Sequence, residues 1–407
     1  MDARRTAEVV WRMHSARLVA SLTRLVQDLA LAEEVAQDAF VAALEQWPQK
    51  GVPDDPAAWL MTVGRRRAID LIRRERSRDE KYAELAAELP TLGSAAGDED
   101  LLSLIFVACH PILPQQSRAG LTLRVIGGLT TDEIARAFLV PSATVGQRIS
   151  RAKRTLAEAE VPFALPDADE LPARLSAVLE VIYLIFNEGY AATSGDDWIR
   201  KDLTEQAMRL GRMLAGLMPR EPEVHGLVAL MALQASRFAA RTGPDGRPVL
   251  LPDQDRSRWD RTLIAHGFSA LGRARRLGKP LGPYTVQAAI AACHARAPRF
   301  EDTDWEAILA LYDALSQLTP SPVVLLNRAV AILHVDGPQA ALAAVDALRD
   351  DSRLARYHLL GAVRGDLLVR LGRHAEAAEE LERAAELAPT RHERTLLLER
   401  AAAAAAG

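Results

Sequence analysis

The stretch LTTDEIARAFLVPSATVGQRISRAKRTL, residues 129–156, decides the fold. Thr130 and Thr131 precede Asp132 and Glu133, a pattern that caps a helix N-terminus and complements its dipole. Ile134, Ala135 and Phe138 give that helix a buried face, and Leu139-Val140-Pro141 breaks it in a tight turn. A second helix starts at Ser142, with Val145, Ile149, Ala152 and Leu156 as its apolar stripe. It carries Arg148, Arg151, Lys153 and Arg154 and, through Leu156, no acid, a local charge of +4. Two helices joined this way predict a helix-turn-helix, whose second helix reads base edges from its N-terminal turns and grips phosphate further along. Ser142, Thr144, Gln147, Arg148 and Arg151 are then the groove candidates, and Lys153 and Arg154 the backbone candidates. A merely solvated basic helix is the bland alternative, which the one-sided charge disfavours.

Upstream lies a second basic concentration. From Pro56 to Arg78 stand Arg65, Arg66, Arg67, Arg73, Arg74, Arg76 and Arg78 against Asp70 and Glu75, a local +5. Trp59, Leu60, Val63, Ile69, Leu71 and Ile72 make this stretch an amphipathic helix, and steps of seven and eight residues put Arg66, Arg73 and Arg74 on one face. Such a face suits phosphate. Two more amphipathic helices precede it, the second ending at Trp47-Pro48, and QKGVPDDP, residues 49–56, reads as a loop. Residues 79–100 carry a net −6 with Pro90, Gly93 and Gly97, the marks of a linker.

Beyond VPFALPDADELP, which marks a boundary near residue 163, the chain is predicted helical almost throughout, with one break at 242–260. The predicted helices include 198–218, 222–241 and 256–276. Near the C-terminus Gly365, Gly372, Ala377, Leu381, Ala384 and Pro389 follow the spacing of the tetratricopeptide helix pair, and Ala329, Ala341 and Val345 repeat it more loosely. Either that repeat or a generic helical hairpin predicts a stacked array that binds protein or peptide. In LLPDQDRSRWD, the residues Asp253, Asp255, Arg256, Arg258, Trp259 and Asp260 form either a buried ion-pair node fixing a helix start or a ligand or partner site. The fold class is all-α, divided at 1–78, 79–100, 101–163, 164–300 and 301–407.

Composition bounds the function. The 407 residues carry a net −4, are 49% hydrophobic and only 5% aromatic, and are too many for one ordinary core. Lys50, Lys81, Lys153, Lys201 and Lys279 are the only lysines, so arginine supplies most of the 50 basic residues. Cys109 and Cys293 are too few for a disulfide framework or a four-ligand zinc site. No phosphate-binding glycine loop, metalloprotease helix or nucleophile elbow occurs, the nine histidines are scattered, and no enzyme chemistry, cofactor or metal is expected. Asp54-Asp55 and Asp196-Asp197 read as loop and cap residues, and Cys109-His110 as part of an apolar core. With no signal-peptide pattern and no apolar run long enough to cross a bilayer, the expected location is the cytoplasm, with no membrane contact.

Two basic helical modules flanking an acidic linker resemble an extracytoplasmic-function (ECF, group 4) sigma factor of the sigma-70 family over residues 1–163. DLALAEEVAQDAFVAALEQW resembles that family's region 2.2, PAAWLMTVGRRRAIDLIRRER its regions 2.3 and 2.4, and residues 129–156 its region 4 helix-turn-helix. The resemblance implies that Glu34, Gln37 and Asp38 dock on the β′ clamp helices of core RNA polymerase. It implies that the loop from Gln49 and Lys50 to Pro56 captures a flipped −10 base. Trp59 with Arg65, Arg66, Arg67, Arg73 and Arg74 would open and hold the −10 element, although members usually carry Asn where Arg66 stands. Region 4 would read the −35 element and meet the β flap. The remainder looks like the long extension of one ECF group, which suggests intramolecular contact with the sigma domains and control by the chain itself. A helix-turn-helix regulator with a repeat-type sensor domain, and a repeat scaffold with degenerate N-terminal modules, are the other two function classes.

Overall fold

The computed structural model describes residues 3–75, 95–138, 140–190, 201–243, 249–388 and 390–406, and the regular elements among them are helices. Leu139, the acidic residues of 79–94, the side chain of Arg74, Arg76, Arg78, Asp196-Asp197 and Pro389 lie outside the described residues. The chain forms two compact units, Met1–Asn187 with Glu205–Leu217, and Glu188–Thr204 with Met218–Gly407. The sequence boundaries at 163/164 and 300/301 fall inside these units.

In the first unit α1 (Ala3–Val26), α2 (Leu29–Lys50) and α3 (Pro56–Glu75) pack as a three-helix bundle. Asp28 caps α2 by accepting from Leu31 N at 2.8 Å, and Asp55 caps α3 by accepting from Ala58 N at 2.9 Å. Leu18, Leu22, Val35, Trp47 and Leu60 fill the core. Gly64 lets α3 close on α1, since a Cβ there would lie 3.3 Å from the methyls of Leu18 and Leu22. One expectation fails here. Pro48 does not end α2, which runs on to Lys50 and closes with Gly51 N donating to Trp47 O at 3.0 Å. A proline near the end of a helix forfeits one bond, and the last turn still closes around it.

Four more helices follow: α4 (Ala95–Ala108), α5 (Gln115–Val125), α6 (Thr131–Phe138) and α7 (Ser142–Glu158). α4 packs on α1, and α5 and α6 pack on α7. Two helices beyond the predicted boundary are tied to them. From α8 (Leu171–Tyr190), Arg174 donates to Phe106 O at 3.1 Å, and Glu180 accepts from Gln115 at 3.0 Å and Arg118 at 3.3 Å. From α9 (Lys201–Leu217), Arg209 donates to Gly127 O at 2.8 Å and Ile126 O at 3.3 Å.

The second unit holds α10 (Pro222–Ala235), α11 (Arg261–Arg276), α12 (Pro283–Arg296), α13 (Trp305–Leu318), α14 (Pro322–Val335), α15 (Pro338–Asp346), α16 (His358–Arg370), α17 (His374–Leu387) and α18 (Arg391–Ala406). From α12 onward each helix packs on the next. Gly365 allows α16 to close on α17, because a Cβ there would fall 2.6 Å from Leu381 Cγ. Both ends of α12 are held by charge. Glu223 on α10 accepts from Gly282 N, Tyr284 N and Thr285 N at 2.8–3.1 Å, and Arg256 covers the other end, each sign matching the helix dipole. The helix predicted over 222–241 stops at Ala235, with a 3-10 turn at Phe238–Ala240. The one predicted from 256 begins at Arg261, because Asp255 and Asp260 hydrogen-bond the backbone amides just ahead of them and break the run into a 3-10 turn and a capped helix.

Candidate nucleic-acid interface

The turn at 129–142 is built from local polar chemistry. Thr130 N donates to Glu133 Oε2 at 2.7 Å and Glu133 N to Thr130 Oγ1 at 3.2 Å, a reciprocal capping box that fixes where α6 begins. Ser142 Oγ donates to Asp132 Oδ1 at 2.6 Å and ties the start of α7 back to α6. Val145, Ile149, Ala152 and Leu156 are buried, as their spacing predicts. Gln147, Arg151 and Arg154 are consequently exposed, with Thr144 and Arg148 half-buried beside them. Arg154 has only a loose contact with Glu158 at 3.9 Å, worth little on an exposed face.

Lys153 stands apart from this set. Its side chain is 17% exposed and its ammonium pairs with Glu33 of α2, which also accepts from Arg124 Nε at 2.7 Å and Gln37 Nε2 at 2.8 Å. Burial alone would push the Glu33 carboxyl up, but the two cations overcome that cost and hold it below the usual carboxylate range. Arg124 also donates to Leu129 O at 3.2 Å, bracing the turn ahead of α6. Neither Glu33 nor Arg124 was singled out from the sequence. The legible signal was an acid set into the apolar stripe Leu29, Ala32, Val35, Ala36 of α2, a position no carboxylate occupies without partners.

Along α2, Glu34 and Asp38 are exposed and Gln37 is half-buried. Asp38 pairs with Arg67 of α3 at 2.9 Å, so the acidic edge and the basic face adjoin. Arg66 and Arg73 are exposed on α3, whereas Arg65 is half-buried and its guanidinium is pushed down by burial. Trp59 packs edge-on against the buried Trp47, ring centroids 5.5 Å apart. Gln49 and Lys50 are exposed but belong to the last turn of α2 and not to the loop, which begins at Gly51.

Among the described residues, those at 253–260 form no ion-pair node. Arg256 is buried and gives its donors to oxygens that carry no formal charge: His294 O at 2.7 Å, Ala297 O at 2.8 Å and Thr303 Oγ1 at 3.2 Å. The guanidinium lies 5.0 Å from the ring centroid of the buried Trp259. Asp253, Asp255 and Arg258 are exposed, and Asp255 and Asp260 act as caps. The helix start at Arg261 is fixed by the Asp260 cap. Nearby, burial and the positive Arg237 and Arg256 push the His294 imidazole down to about 3.

Cys109 is buried against Thr122 Oγ1 at 3.3 Å, and burial pushes its thiol up to about 11, far from a reactive thiolate. Among the described residues no group of three or more His, Cys, Asp or Glu is placed to hold a metal ion, and no helix is long and apolar enough to cross a membrane.

An acidic-edged three-helix bundle beside a helix-turn-helix with an exposed basic face defines a two-module, all-helical DNA-binding protein carrying a helical extension. Comparison with known proteins gives the family. Sigma-70 region 2 matches residues 10–78, Sigma-70 region 4 matches 103–156, and a family of unknown function, DUF6596, matches 174–275. A Rhizobium meliloti (strain 1021) protein described as Uncharacterized protein R00370 is 47% identical, over 90% of this chain and 88% of its own. The ECF RNA polymerase sigma factor SigK of Mycobacterium ulcerans (strain Agy99) is 29% identical over 34% of this chain and 78% of its own. The ferric citrate uptake sigma factor FecI of Escherichia coli (strain K12) is 28% identical over 36% of this chain and 86% of its own. No solved structure matches. The chain therefore carries regions 2 and 4 of the sigma-70 family and is similar over them to ECF sigma factors, which supports a sigma factor that acts with core RNA polymerase in transcription initiation at promoter DNA.

Proposed function

We propose that the two modules divide initiation between them. Glu34, Gln37 and Asp38 on α2 dock on the β′ clamp helices, and Trp59 with the arginines of α3 opens and holds the −10 element as single strand. A positive groove with an aromatic platform is the chemistry that unstacked bases need. Gln147, Arg148 and Arg151 read the −35 element from α7, with Ser142 and Thr144 at the start of that helix, Arg154 on phosphate, and the β flap receiving this module. The helical extension controls these steps from within the chain, a role supported by Arg174, Glu180 and Arg209, which already bond the helices around the helix-turn-helix. The helical array after Arg296 would take a protein or peptide partner.

The observation that carries this is the exposed acidic edge of α2, Glu34 and Asp38, beside the basic face of α3. A regulator that binds duplex DNA alone has no use for it. Transcription in vitro with core polymerase on genomic DNA tests it: the full chain gives promoter-specific transcripts, and reversing Glu34 and Asp38 to Lys abolishes them together with polymerase binding. Reversing Arg148 and Arg151 to Glu removes −35 dependence and leaves polymerase binding intact. Absence of any specific transcript from the full chain refutes the assignment, and tight duplex binding that ignores the α2 reversals favours the simple regulator.

A further inference from the structure

We propose that Glu33 is an internal clasp: in the free protein it holds region 4 folded back on region 2, and promoter reading requires its release. The inference rests on the sigma-factor roles above. Glu33 lies one residue from Glu34 and one turn from Gln37 and Asp38, so the helix offered to polymerase is also the helix that grips region 4. Glu33 is 6% exposed, and its carboxylate holds Lys153 of the recognition helix and Arg124. Region 2 has no need of a buried charge for its own bundle, where an apolar side chain would pack at less cost. Apart from Gln37 on its own helix, both partners of this charge, Lys153 and Arg124, lie across the seam.

Two further ion pairs cross it. Asp98 and Asp100, at the start of α4, pair with Arg17 at 2.5 Å and Arg24 at 2.8 Å on α1. The two acids at the start of α4 thus also hold the bundle. Beside Lys153 lies a half-open cleft of about 340 Å³ with a mixed lining, Thr23, Gln27 and Leu29 from region 2 and Lys153, Arg154 and Leu156 from region 4. Part of the seam is therefore held by ion pairs, whose cations can exchange a carboxylate partner for a phosphate.

The clasped and promoter-bound states exclude each other. Lys153 cannot neutralise a phosphate while its ammonium is spent on Glu33. Elements centred at −10 and −35 are separated by roughly 85 Å of duplex at about 3.4 Å per step, yet here the two modules touch.

Zero-length carbodiimide coupling of the purified full chain tests this directly, because Lys153 is one of only five lysines. The amide between Glu33 and Lys153 is expected in the free protein and should fall about tenfold on adding saturating core polymerase. Its absence from folded free protein, or equal yield in the polymerase complex, overturns the clasp. Glu33→Gln should strengthen binding of a short mixed-sequence duplex by the free chain about tenfold, as Lys153 and Arg124 are released; unchanged affinity overturns it. Should Glu33→Gln not fold, Arg124→Gln gives the same expectation. Failure of the sigma reading looks different: wild-type chain would give no specific transcript with polymerase, whatever the coupling yield.

Discussion

Replacing Arg256 by Leu tests how the loop at 251–260 holds the second unit. Arg256 donates to three acceptors at 2.7, 2.8 and 3.2 Å, two of them carbonyls at the C-terminal end of α12. Hydrogen bonds from a charged donor contribute about 1.5–3 kcal/mol each, a gross loss of about 5–9 kcal/mol. Leu removes the several kcal/mol cost of burying a guanidinium, and one buried guanidinium nitrogen, Nε, has no partner to lose. The net loss should be about 3 kcal/mol, or roughly 6–12 °C in Tm for a unit of this size. Urea and thermal unfolding of the full chain, followed by tryptophan fluorescence, read it, since Trp259 lies 5.0 Å from the guanidinium. Arg256→Lys should recover less than half, because one ammonium cannot span acceptors arranged for a fork. A change below about 1 kcal/mol for Arg256→Leu would refute this account of the loop.

Three more outcomes are expected. His294, pushed down from 6.5 to about 3, is neutral when folded, so its contribution is complete above pH 6.5 and is lost as pH falls toward 3. Urea unfolding across that range should show a loss on the order of a few kcal/mol that His294→Gln flattens. Gly365→Ala should destabilise the second unit by about 1–2 kcal/mol despite Ala's helix propensity, since its Cβ would meet Leu381 at 2.6 Å; a rise in Tm would contradict that. A chain ending at 163 should lose amide protection in α5, whereas one ending at 217 keeps the bonds from Arg174, Glu180 and Arg209. Equal protection in the two would show those helices to be dispensable to region 4.

Local patterns were legible wherever one element sufficed to express them. The stripe Val145, Ile149, Ala152, Leu156 is buried as its period requires, and Thr130 caps α6 through a bond only three residues long. The caps made by Asp255 and Asp260 are not legible in sequence, because an aspartate ahead of an arginine looks alike whether it pairs with that arginine or caps a backbone amide. Pro48 signals a break without saying which turn absorbs it, so the place of Gln49 and Lys50 in the last turn of α2 is not legible in sequence.

By itself the sequence determined the helices, the two basic faces and the family, because periodicity, capping and charge asymmetry are properties of neighbours along the chain. Only the tertiary structure decided what the charges do. Lys153 reads as one more phosphate contact among four basic residues, yet it is spent on Glu33, 120 residues away. Whether a charge faces solvent or a partner depends on which helix packs over it, and that is settled by long-range burial, which pairs Glu33 with Lys153 and Arg124 and leaves Gln147, Arg151 and Arg154 exposed.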